Sequence, residues 1–60
     1  MTECGFDDLR NGDLARVETG ISAVEGRIFR RGPDDDPVIE SMGYTIKLNR
    51  QQRFFLIRQA

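Results

Sequence analysis

The sequence predicts an all-β domain, a small barrel or curled sheet of five short strands behind a short N-terminal arm. Three observations point there. Apolar and polar residues alternate in brief runs, turn-forming residues punctuate those runs, and no stretch repeats at the 3.6-residue period of a helix. The chain has 60 residues, enough for one domain, and a chain of that size buries only about 60% of its unfolded surface. Cys4 is the only cysteine and there is no histidine. An intrachain disulfide and the common zinc sites are therefore excluded, and packing must supply the stability.

Residues 1–11 have weak periodicity and several turn formers, and read as a flexible arm with one turn at Phe6-Asp7-Asp8-Leu9. Residues 12–60 form the barrel. Asp13 to Thr19 alternates, with Ala15 and Val17 sharing a face, until Gly20 breaks the run. Ala23 to Arg31 alternates again through Val24, Gly26 and Ile28, with Glu25 and Arg27 opposite. Gly32-Pro33-Asp34-Asp35-Asp36-Pro37 is the clearest loop, because two prolines and three adjacent carboxylates resist regular structure. Val38-Ile39-Glu40 is extended, and Ser41-Met42-Gly43 reads as a three-residue hairpin turn with Gly43 at positive φ. Tyr44 to Leu48 alternates cleanly, Asn49-Arg50-Gln51-Gln52 is a polar turn, and Arg53 to Arg58 is the last strand.

Pairing the last strands across these turns sets Leu48 against Arg53 and Glu40 against Tyr44. One face then holds Val38, Tyr44, Ile46, Leu48, Phe55 and Ile57, a core to be completed by Val17, Val24 and Ile28. The other face holds Ile39, Thr45, Lys47, Phe54, Leu56 and Arg58. It is too apolar for full solvation. Either residues 1–11 fold over it with Phe6 and Leu9, or a partner or a second copy covers it.

Gly12-Asp13-Leu14-Ala15-Arg16-Val17-Glu18-Thr19-Gly20, followed by Gly26-Arg27-Ile28, resembles the KOW motif of SH3-like barrels in transcription-elongation factors and ribosomal proteins. The likeness covers residues 12–28 and implies a five-stranded SH3-like barrel, with RNA binding as an associated role. Ala15 is smaller than the usual valine, and Ser22-Ala23-Val24 lacks the glycine-rich or basic loop common in such motifs. A plasmid-type dihydrofolate reductase shares the Gly-Asp opening, but its Val-Gln-Ile-Tyr signature is absent here.

Catalysis is the least expected activity. The commonest general base is missing, Cys4 has no evident base to activate it, and no phosphate-cradling glycine loop is present. No cofactor is expected. Asp34-Asp35-Asp36 lacks the spacing of a calcium loop, so no metal site is expected either.

Net charge is −1 and the sequence pI is about 5.2, which argues against a general nucleic-acid binder. The distribution is uneven: residues 1–40 hold ten acidic and five basic side chains, and residues 41–60 hold Lys47, Arg50, Arg53 and Arg58 with no acid. An ordinary solvated surface explains this as readily as a working one. The expected function is non-catalytic binding, most of all of a protein, through Ile39, Lys47, Phe54, Leu56 and Arg58 on the C-terminal hairpin. The alternative is single-stranded RNA or DNA, held by Arg27, Arg30, Arg31, Lys47, Arg50, Arg53 and Arg58 with Tyr44, Phe54 and Phe29 as stacking platforms. No apolar run is long enough to span a bilayer and the acidic N-terminus lacks the parts of a secretory signal. A cytoplasmic location is expected, with no membrane partner.

Overall fold

The computed structural model describes residues Met1–Ala60. The chain is all-β: one antiparallel sheet of six strands, with a single 3-10 turn and no α-helix. No helix is long and apolar enough to cross a membrane. The strands are β1 (Thr2–Cys4), β2 (Leu14–Glu18), β3 (Ala23–Phe29), β4 (Val38–Ser41), β5 (Tyr44–Lys47) and β6 (Arg53–Arg58), and the 3-10 turn spans Phe6–Asp8. The order across the sheet is β1-β6-β2-β3-β4-β5. β1 and β5 are therefore its two edges, and the sheet is not closed.

The five expected strands lie where the alternation put them. The sixth, β1, forms in the segment expected to be a flexible arm. Three residues carry too little periodicity to read as a strand, and β1 exists because β6 offers it a ladder, pairing Cys4 with Phe54 and Thr2 with Leu56.

Two expected pairings are corrected. The β4–β5 loop has two residues, not three, so Ser41 pairs with Tyr44 and Ile39 with Ile46. Met42 (φ 51°) and Gly43 (φ 83°) both take positive φ, the signature of a type I′ turn, whose twist matches that of the strands it joins. A one-residue slip in register moves every side chain of a strand to the other face. The expected C-terminal hairpin is also absent. β5 pairs only with β4, whereas Asn49–Gln52 carries the chain across so that β6 joins β2, with Val17 opposite Phe54. That turn is fixed by its own side chains: Gln52 Oε1 accepts from Asn49 N and Asn49 Oδ1 from Gln51 N.

Together these changes turn β4 and β6 over, while β5 keeps its expected side. Ile39 and Phe54, assigned to an exposed patch, are 0% and 2% exposed. Tyr44, Ile46 and Ile57, assigned to the core, are exposed, while Val38 and Phe55 are half-buried. The core is Phe6, Leu9, Ala15, Val17, Ile28, Ile39, Leu48 and Phe54, with Cys4 and Val24 packed against it. Val17, Ile28 and Leu48 hold their expected core places, and Val24 sits at the margin. Phe6 and Leu9 cover the Phe54 side of the sheet, the Phe6 and Phe54 rings meeting at 6.0 Å between centroids.

Gly26 explains how β3 and β4 approach so closely. A Cβ at this position would collide with the Glu40 carbonyl oxygen and press on Ile39 Cγ1. Only glycine lets β4 lie down there.

Candidate binding surface

With Ile39 and Phe54 inside, three exposed apolar side chains fall on the β4–β5 hairpin, while Met1, Ile21, Phe29 and Ile57 are exposed elsewhere. Met42 at its tip is 94% exposed, Tyr44 is 73% exposed and Ile46 is 37% exposed. Tyr44 pairs with Ser41 and Ile46 with Ile39. Both side chains therefore stand on the core-facing side of the sheet, beyond the margin of the core. On the opposite side, Phe29, Val38 and Lys47 form one cross-strand row. No strand pairs with the far edge of β5, so half of its main-chain donors and acceptors face solvent.

Of the residues expected to bind protein, only Lys47 and Arg58 are fully exposed, and Leu56 is half-buried. Met42 was missed because a hairpin tip carries no periodic signal. Its one clue was a methionine where a type I′ turn prefers asparagine or aspartate before glycine.

The expected nucleic-acid contacts divide in two. Arg27, Arg30, Arg50 and Arg53 are engaged with their own chain. Arg50 grips Asp7 with two hydrogen bonds of 2.9 Å and lies 4.6 Å from the Phe6 ring centroid. Arg53 holds Glu3 at 3.0 and 3.2 Å, above the Phe55 ring. Arg30 donates to the carbonyls of Phe6 and Asp7, and Arg27 to that of Gly12. Arg31, Lys47 and Arg58 make no such bond and, with Tyr44, remain at the surface. Arg30, Arg31 and Lys47 share a shallow groove with Phe29, and also with Asp35 and Asp36, which cancel much of its positive charge.

These pairings set the titration of the acidic segment. The Arg53 guanidinium holds the Glu3 carboxyl below its ordinary range, and Arg50 does the same for Asp7. The arginines are held up in turn.

Cys4 borders a hollow of about 450 Å³ that is also lined by Asp7, Asp8, Asp13 and Leu56. Burial pushes its thiol up, and the nearby carboxylates of Asp8, Asp13 and Glu3 add to the effect. Such surroundings oppose formation of a thiolate nucleophile. No three carboxylate or thiol side chains gather in metal-binding geometry, and Asp34, Asp35 and Asp36 are solvated.

No family model, curated protein or solved structure matches the chain.

Proposed function

We propose that this chain is a non-catalytic, cytoplasmic protein-interaction module whose working surface is the β4–β5 hairpin with the open edge of β5. One observation carries the reading: Met42, Tyr44 and Ile46 stand exposed on one hairpin whose outer strand has an unpaired edge. Exposed apolar side chains on a free edge are the ingredients of strand addition, in which main-chain hydrogen bonds give affinity and alternate side chains give specificity. Met42 strengthens it. Left-handed backbone at a bulky residue costs stability, and a side chain kept there in full exposure has a use outside its own fold.

An SH3-like barrel remains the reading of the architecture. Its support is the β2–β5 meander with β6 returning beside β2, and core side chains drawn from β2, β3, β4, β6 and the residue after β5. The nucleic-acid role implied by the KOW resemblance is the weaker reading, because Arg27, Arg30, Arg50 and Arg53 are already engaged.

The test is photocrosslinking in living cells from a benzophenone-bearing phenylalanine at position 44, with the same group at position 34 as control. Protein adducts from position 44 and none from position 34 are expected. Adducts to nucleic acid, or equal labelling from both positions, would overturn the reading.

A further inference from the structure

We infer that the occupant of the β5 edge is the β5 strand of a second copy of this chain, paired antiparallel about Thr45. This inference rests on the proposed function and names its partner.

The geometry follows from the hairpin. In a two-residue β-turn the flanking residues, here Ser41 and Tyr44, form a hydrogen-bonded pair, and the next such pair along the ladder is Ile39 with Ile46. The N–H and C=O groups of Tyr44 and Ile46 thus point at β4, and those of Thr45 and Lys47 point out of the sheet edge.

Two copies of such an edge are self-complementary when Thr45 faces Thr45 of the second copy. The two threonines then exchange both N–H···O=C bonds. Tyr44 of each copy falls opposite Ile46 of the other in a non-hydrogen-bonded pair, where side chains approach most closely. Aromatic and β-branched residues form favourable cross-strand pairs, and this pairing covers Tyr44 and Ile46 on both copies. Shifting by one residue would set side chains from opposite faces against each other and leave the outward Thr45 main-chain groups facing Ile46 of the other copy, whose own groups are already spent on Ile39.

The charges agree. Lys47 is the only charged residue of β5, and in this register it lies opposite Gly43, so no like charges meet. A strand with one cation at its end offers little with which to select a foreign strand of opposite charge, whereas its own sequence supplies the complement. The other edge is a poor alternative: β1 to β5 pairing is heterologous, leaving an open edge at each end unless the rotation closes a ring, and Glu3 on β1 is already held by Arg53. Pairing β5 with itself about a two-fold axis closes after two copies.

The test uses the full chain and measures its mass by light scattering from micromolar to about 1 mM. The mass is expected to rise from 6.9 kDa towards twice that value. Thr45 is exposed on the outer face of an edge strand, so Thr45→Lys and Thr45→Glu should fold normally. Each alone sets like charges directly opposite and should weaken association about threefold, by the rule for cross-strand charges. Mixing the two variants should restore it, a rescue that requires position 45 to face itself. Amide exchange provides a second readout, with Thr45 N–H gaining protection as concentration rises. A mass fixed at 6.9 kDa at the highest concentration would overturn the inference, as would a dimer indifferent to both charge variants. Either result leaves the proposed function standing if position 44 crosslinks to a different protein. Nucleic-acid adducts at position 44 would remove the proposed function itself.

Discussion

Asp13 is the one charged side chain buried in the fold, and its carboxylate is spent on main-chain donors. One oxygen accepts from Arg10 N and the other from Ala60 N, each at 3.0 Å. Asp13→Ala leaves both amides unpaired. A lost buried partner costs about 1–3 kcal/mol, and in a domain this small each kcal/mol moves Tm by about 4–8 °C. Urea denaturation is expected to show a lower midpoint with an unchanged slope. An unaltered midpoint would mean that water replaces the carboxylate at no cost. Met42 presents the opposite case. Met42→Asn keeps the type I′ turn with a residue suited to it, and should raise stability by about 1 kcal/mol while reducing crosslinking from position 44. Thermal unfolding checks the first effect; a fall in Tm would show that the Met42 side chain contributes to the fold as well as to the surface.

At the scale of elements, the acidic N-terminal segment is held by paired charges over a hydrophobic plug. Phe6 and Leu9 bury, while Glu3 and Asp7 reach arginines on β6 and on the turn before it. Both carboxyls titrate below their ordinary values in the folded chain. Groups depressed in this way add stability above their unfolded pKa, and that stability is lost as pH falls through the folded pKa. Acidification from neutral through and below pH about 4 should therefore loosen β1 and the 3-10 turn before the rest of the sheet. Amide exchange should show protection lost first at Thr2–Asp8. Arg50→Gln with Arg53→Gln should remove most of the pH dependence of that segment, and an acid response unchanged in this double variant would place its origin elsewhere. Both pairs are exposed, so added salt should weaken them in the same direction.

Across the whole molecule, the charge asymmetry becomes a contact. The acid-rich first segment lies on the acid-free last third, and the two parts complete one core. Phe6 and Leu9 are two of its eight buried side chains, and a domain of 60 residues has little stability to spare. Removing residues 1–11 should abolish cooperative unfolding, not merely free a basic surface. A truncated chain with a dispersed amide spectrum and an unchanged denaturation midpoint would refute this. Arginines that read in the sequence as a free basic surface are in this sense internal fasteners. Arg30 is the clearest, reaching two main-chain carbonyls more than twenty residues away in the chain.

The sequence by itself determined the fold class, five of the six strands, and the positions of the loops. Those follow from alternation and from glycine and proline placement, which act over a few residues. It left open what covers the apolar side of the last strand. The tertiary structure decided which residues of β4 face the core, and the deciding quantity was small: two loop residues at Met42-Gly43 in place of three, which put Ile39, not Val38, on the core side beside Ile46. It also decided that Phe54 meets Val17 instead of standing on a β5–β6 hairpin, and that Glu3 and Asp7 occupy Arg53 and Arg50. Each is a choice among partners distant in sequence. The energy that makes it comes from burying Phe6, Leu9, Ile39 and Phe54 together, and no local pattern carries that information.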